Sequence, residues 1–352
     1  MAVIVLGAGA TRGASFVDAL RKTGGCLPPL DTDFFTQLQR VANVKHQDVV
    51  NSTIKDAVAL FGNNFDVTLE TMFSTIEHTL RIMEATGKEC KTKKSDYVNK
   101  RTNLIQALAA VLEESLTMKD KKSTPSPCDF HETLVKVLST NDAIISLNYD
   151  CLMDYTLKEH GADKWNAAYG YCLPRPKGRS QTIGEEHWHD TTKTHTKATL
   201  RLLKLHGSMN FRKEGTLVKL KDRPYTKQHG NLRAEIIPPE WNKKCEGHFQ
   251  KIWKHAAQEI HAAKTLVFIG YSFPAADLHT AALFRVSVKK LANVVVVNPD
   301  KMALHRTLEV IKKGLTEKTL CARSPIGDEN KEPSTETSKD TDCSQTQRGT
   351  HR

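Results

Sequence analysis

Val3-Ile-Val-Leu6, followed at once by Gly7-Ala-Gly9-Ala-Thr11-Arg-Gly13, is the stretch from which the rest of the chain is read. Four apolar residues in a row, three of them β-branched, form a short buried-strand pattern. Glycines directly behind such a strand let backbone N–H groups approach a diphosphate, and a following helix offers the anion its positive end. The spacing departs from G-x-G-x-x-G, because Arg12 stands where the third glycine belongs and Gly13 comes one step later. Ser15–Lys22 reads as the helix that follows. The apolar opening has no basic run ahead of it, so a strand is expected there and not a secretion leader.

Outward from this point the same alternation recurs. Further buried-strand patterns lie at Ala143–Leu147, Leu202–Leu205, Thr265–Gly270 and Val294–Val297, with helical patterns at Lys251–Ala263, Asp277–Leu291 and Lys301–Lys313. Strands alternating with helices predict an α/β domain whose parallel sheet carries helices on both faces. Residues 40–135 hold helical patterns with no strand between them. Asp66 is placed to cap a helix with Leu69, Met72, Phe73, Ile76 and Leu80 on one face. Leu104, Ile105, Leu108, Val111, Leu112 and Leu116 form a second stripe, and His131–Leu138 is a third helix. A helical subdomain packed on the sheet is expected from them. Residues 161–200 read as an irregular insertion, and the Ser-, Thr-, Lys- and Glu-rich stretch 321–352 as a disordered tail, leaving one domain over 1–320.

Composition narrows the class. No apolar run reaches the roughly 18–20 residues of a membrane span, so no membrane association is expected. The eight cysteines form no C-x-x-C pair, which favours free thiols and a cytoplasmic location over a disulfide framework or a zinc ribbon. His187, Trp188, His189 and His195 lack regular ligand spacing, and no metal is expected. The net charge of +11 suits polyanionic ligands such as dinucleotides. No nucleic-acid-binding motif accompanies it, so direct nucleic-acid binding is not expected. The clusters Lys91–Lys94 and Lys119–Lys122 read as solvated polar linkers.

In open α/β sheets, ligands bind beyond the carboxyl ends of the strands. Here those ends carry Thr11, Asn148-Tyr-Asp150, His206-Gly-Ser208, Gly270-Tyr-Ser272 and Asn298-Pro-Asp300. Bland alternatives stand beside each. Asn148 and Asp150 could cap the helix beginning near Cys151, Asp277 could cap the next one, and His206-Gly207 could be a strand-ending turn.

Five segments, Gly7-Ala-Gly-Ala-Thr11, Ser146-Leu-Asn-Tyr-Asp150, Leu203-Lys-Leu-His-Gly-Ser208, Gly270-Tyr-Ser-Phe-Pro-Ala-Ala-Asp277 and Val297-Asn-Pro299, resemble in order the motifs of the sirtuin-like NAD hydrolases of prokaryotic antiviral defence. The likeness spans about residues 1–315. It implies a Rossmann-like, doubly wound parallel sheet with a helical insertion, taking NAD as substrate. By the same resemblance Gly7, Ala8, Gly9 and Thr11 lie at the NAD phosphates, and Asn148 and His206 at the reacting ribose. Ser272, with Gly270, falls near the diphosphate or ribose and Asn298 at the adenosine ribose, while Asp150 and Asp277 are further candidates for cofactor contact. Thr11 replaces the commoner Ser, and Ser146-Leu147 a commoner Thr-Thr. The four-cysteine zinc module of the protein-deacylating sirtuins has no counterpart in this spacing.

The residue types suit the implied chemistry. Nicotinamide is already cationic and leaves readily, so the demanding part is an oxocarbenium-like ribose and an incoming water. A histidine can take the proton near neutral pH, with Asn148 positioning water and a ribose hydroxyl. The expected activity is therefore hydrolysis of NAD to nicotinamide and ADP-ribose, in an NAD-depleting defence effector controlled by a regulatory protein partner or by homo-oligomerisation. The alternatives are a non-catalytic sensor of NAD or an ADP-ribose derivative, and an NAD-dependent deacylase or ADP-ribosyltransferase.

Overall fold

The computed structural model describes residues 1–86, 91–117, 125–161, 163–173, 199–215, 217–225, 233–237, 247–275 and 277–315. The histidines 187, 189 and 195, the cluster Lys119–Lys122 and the tail 321–352 lie outside the described residues. In chain order the elements begin with β1 (Ala2–Leu6), α1 (Ala8–Arg12), α2 (Val17–Lys22) and α3 (Phe34–Leu38). Four longer helices follow: α4 (Gln47–Phe61), α5 (Leu69–Thr86), α6 (Lys91–Leu116) and α7 (Asp129–Val137). Next come β2 (Ala143–Ser146), α8 (Leu152–His160), α9 (Ala167–Gly170), β3 (Arg201–Lys204), β4 (Gly207–Glu214), β5 (Leu217–Leu220) and β6 (Ala234–Ile236). The chain then runs through α10 (His248–Ala262), β7 (Thr265–Ile269), α11 (Leu278–Ser287), β8 (Asn293–Val297) and α12 (Lys301–Ile311).

The five apolar runs form one parallel sheet in the order β3-β2-β1-β7-β8. Val3, Val5, Ile144, Ile145, Leu202, Leu203, Leu266 and Phe268 are fully buried in it, the pattern of strands covered by helices on both faces. Strand order reverses at β1: β2 and β3 lie to one side, β7 and β8 to the other. This is the Rossmann-like, doubly wound arrangement, with its switch point between β1 and β7. Register levels the carboxyl ends, since Leu6 pairs with both Ser146 and Ile269, Ser146 with Lys204, and Ile269 with Val297.

Several local expectations are corrected. The helix after β1 begins at Ala8, not Ser15, so Gly9 lies inside its first turn, and the helix breaks before α2 starts at Val17. Lys91–Lys94 is the start of the 26-residue α6, not a linker, because the run continues without a breaker into the Leu104–Leu116 stripe. Asp66 does not cap α5. Thr68 Oγ1 accepts from Thr71 N at 3.1 Å, and Asp31, far away in sequence, accepts from Glu70 N at 2.7 Å. A second, antiparallel sheet in the order β5-β4-β6 follows β3. Its inward Met209, Phe211, Val218 and Leu220 alternate with polar residues and are almost fully buried. Cys26, Cys128, Cys151 and Cys172 are free thiols, and no helix among the described residues is long and apolar enough to cross a membrane.

Candidate functional site

Each strand of the parallel sheet ends level with its neighbours, so the residues just beyond them converge. Backbone bonds carry the ladder past the strands: Leu147 N donates to Leu6 O, Gly7 N to Ile269 O, and Gly270 N to Val297 O. A cavity of about 680 Å³ opens there, over the switch point. Gly7, Ala8, Gly9, Thr11, Asn148, Asp150, His206, Gly270, Ser272, Asp277 and Asn298 all line it. Its other walls come from the Pro28–Thr32 loop and from Leu69, Glu70, Leu108 and Leu112 on α5 and α6.

The glycines make a close approach within the protein itself. Gly270 has φ +62°, and a Cβ there would meet Ala10 N at 2.0 Å; a Cβ on Gly7 would meet Gly270 O at 2.5 Å. The start of α1 is thus packed backbone to backbone on the turn after β7, and Gly9 N donates to Gly270 O at 3.0 Å.

Thr11 is the hub of the first polar cluster. Its hydroxyl donates to Asp150 Oδ2 at 2.8 Å and accepts from Asn148 Nδ2 at 3.1 Å. Asn148 Nδ2 also donates to Gly7 O at 3.0 Å. With both amide hydrogens committed, Asn148 Oδ1 is left buried and accepts nothing among the described residues. The Asn148 side chain therefore does not cap α8. Asp150, one residue ahead of the N-cap position Cys151, does meet the helix start: its Oδ1 accepts from Leu152 N at 2.9 Å, while its other oxygen holds Thr11.

His206 occupies the point where the chain leaves the parallel sheet for the antiparallel one. Its backbone is pinned on both sides: Trp253 Nε1 donates to Leu205 O at 3.0 Å, and Ile237 N to His206 O at 2.9 Å. Gly207, at φ +79°, packs so close to β6 that a Cβ would lie 2.3 Å from Glu235 O. The His206 side chain is 7% exposed, with Nε2 at 3.7 Å from Asp277 Oδ2. Asp277 precedes α11 but makes no side-chain cap bond to it. Its Oδ2 accepts from the Tyr271 hydroxyl at 2.8 Å. Burial, and then Asp277, push the Tyr271 hydroxyl well above its ordinary range, so it remains a donor.

Beneath the cavity lies a buried charge pair. Lys204 Nζ donates to Asp154 Oδ2 at 3.1 Å and to the carbonyl of Asp150. Asp154 Oδ1 also accepts from the Tyr171 hydroxyl at 2.6 Å. Burial pulls the Lys204 ammonium down, but Asp154 and its neighbours outweigh it and hold the group above its usual value. The pair fixes the Asp150 turn from below.

At the rim, Asn298 Oδ1 accepts from Asp300 N, and Arg306 joins Asp300 to the Ser272 carbonyl. Arg12 donates to Pro28 O and pairs with Asp33, anchoring the loop that forms the opposite wall. Sequence reading did not single out Arg12, Asp31, Glu70, Tyr149, Lys204 or Tyr271. Tyr149, Lys204 and Tyr271 fall inside the quoted segments, and Arg12 holds the place of the missing glycine. Asp31 and Glu70 reach the cavity through tertiary contact and leave no local signal. Among the described residues no three His, Cys, Asp or Glu side chains come together as metal ligands.

No curated protein matches the chain. A solved structure from work on the "Structural Basis for the Mechanism and Regulation of Sir2 Enzymes" is similar at 14% identity and a TM-score of 0.32, covering 89% of this chain and 92% of that one. Residues 142–310, which run from β2 into α12 and include the Asn148, His206 and Asp277 segments, match the family model of the SIR2-like domain.

Proposed function

We propose that the chain hydrolyses NAD at the nicotinamide–ribose bond, releasing nicotinamide and ADP-ribose. One observation carries this reading: Asn148 and His206, the two side chains with the required chemistry, line the same cavity at the sheet's switch point. The SIR2-like match over residues 142–310 supports NAD as the ligand. A cavity of this size falls within the range of about 300–1,000 Å³ usual for small-molecule sites. Gly7, Ala8, Gly9 and Thr11 would lie along the phosphates, Gly270 and Ser272 near the diphosphate or ribose, and Asn298 at the adenosine ribose. Asp150 holds Thr11 and the Asn148 turn in place.

In the reaction, the C1′–N bond breaks and nicotinamide leaves with its electron pair. A water oxygen bonds to C1′, and the water proton passes to His206 and on to solvent. Asn148 cannot rotate, because Gly7 O and Thr11 hold its amide hydrogens, so Oδ1 is preorganised to accept from a ribose hydroxyl or the water. Purified protein incubated with NAD is expected to release nicotinamide and ADP-ribose on chromatography. His206→Ala and Asn148→Ala should each lose at least about 100-fold of that rate while still binding NAD in calorimetry. NAD bound by the wild type with no turnover would leave two readings, a sensor or an enzyme that awaits its activator. A mass increase on a protein acceptor would redirect it to group transfer.

The motif resemblance further supports a defence effector that depletes cellular NAD and is held in check by a partner protein or by self-assembly. A fully active single-species monomer in light scattering would count against such control.

A further inference from the structure

We infer that Asp277 is the positioning residue of His206, and that the Tyr271 hydroxyl holds Asp277 for that task. The inference rests on the hydrolase reading for its catalytic consequence, but not for the contact itself. Asp277 stands at the amino end of α11, where an aspartate ordinarily turns its carboxylate back to cap the helix. Here the side chain makes no cap bond. It turns instead toward the cavity, where one oxygen takes the Tyr271 hydroxyl at 2.8 Å and lies 3.7 Å from His206 Nε2. Both His206 and Asp277 are 5% exposed, so little water screens one from the other.

A histidine that accepts a proton during turnover becomes a buried cation. A carboxylate held beside it favours that cation and fixes the ring's orientation. Tyr271 keeps the carboxylate from swinging back onto α11. Burial first, then Asp277 beside it and the charge of Glu70 on α5, push the Tyr271 hydroxyl well above its ordinary range, so it stays a donor. Near the imidazole stand Asp277 before α11, itself held by Tyr271 beyond β7, and Tyr149 just past β2, whose ring centroid is 6.3 Å from that of His206. The Gly270–Asp277 segment therefore serves two purposes. Its glycine packs on α1, and its aspartate supports the base, so Asp277 needs no direct contact with NAD.

Asp277→Asn tests this without removing a cap bond, and the amide can still accept from Tyr271. With NAD, kcat is expected to fall about 10- to 100-fold with KM held within about threefold, and Asp277→Glu should recover part of the loss. In nucleotide-free protein, the His206 C2 proton, assigned by its absence in His206→Ala, should titrate about one pH unit or more lower in Asp277→Asn. An unchanged His206 titration in Asp277→Asn, or a change in KM alone, would overturn the inference. Failure of the isolated wild type to turn over NAD would bear on the hydrolase reading alone, and the titration would still decide whether Asp277 acts on His206.

Discussion

Thr11 shows how much depends on one hydroxyl. It gives its hydrogen to Asp150 and its lone pair to Asn148, so it links α1 to the turn after β2. Thr11→Val keeps the shape and removes both bonds, leaving a buried carboxylate oxygen and an amide hydrogen short of a partner. Such unsatisfied groups cost about 1–3 kcal/mol. The denaturation midpoint of Thr11→Val should fall accordingly, while Thr11→Ser stays near the wild type. Equal midpoints for Thr11→Val and the wild type would show that the hydroxyl is not the link. The same substitution frees the Asn148 amide, so its effect on NAD turnover should exceed its effect on NAD binding.

Between elements, the joint of β2, β3 and α8 rests on a buried ion pair. Lys204 is 1% exposed and Asp154 fully buried. Breaking such a pair from one side leaves an uncompensated charge and costs about 3–5 kcal/mol, whereas replacing both partners by apolar residues is often neutral or stabilising. Lys204→Met should therefore lower Tm sharply, and Lys204→Met combined with Asp154→Leu should recover much of the loss. A double variant no more stable than the single one would mean that the Lys204 bond to the Asp150 carbonyl, not the pairing, is the essential contact.

At the scale of the whole molecule, the helical layer is tied together by carboxylates that must remain ionised. Glu113 of α6 accepts from Lys45 Nζ at 2.7 Å and meets His46 Nε2 at 2.9 Å. Burial pushes its carboxyl up, but His46 and Lys45 outweigh burial and hold it below its ordinary value of 4.5. A depressed carboxylate contributes stability above its unfolded value and loses it as pH falls through the folded one. Far-ultraviolet circular dichroism against pH should show acid loosening setting in below about pH 4.5. Glu113→Gln should make that loss shallower and lower the neutral-pH midpoint. An acid transition identical in Glu113→Gln would show that other groups govern it. Because α6 also supplies Leu108 and Leu112 to the cavity wall, ligand affinity should weaken over the same acidic range.

What the sequence determined by itself was local. Apolar runs at Val3–Leu6, Ala143–Leu147, Leu202–Leu205, Thr265–Gly270 and Val294–Val297 announced five strands, because strands of a helix-covered parallel sheet read as continuous apolar runs, fully buried in the central β1 and β2 and half-exposed at the edge strand β8. Polar clusters behind each run announced the cavity-lining residues from Gly7 to Asn298, since ligands gather at that edge of a parallel sheet. The antiparallel sheet was not legible, because Met209 and Phe211 become an inner face only once β4 pairs with β5 and β6. Side-chain commitments were equally invisible. Whether Asp150 or Asp277 caps its helix depends on what lies across the cavity, here the Thr11 hydroxyl for one, and Tyr271 and His206 for the other. Pairings between residues far apart in sequence, such as Lys204 with the Asp150 carbonyl or Asp31 with the start of α5, are settled by where the folded backbone carries each group. Sequence periodicity records which face of an element is buried, and only the tertiary structure decides what that face meets.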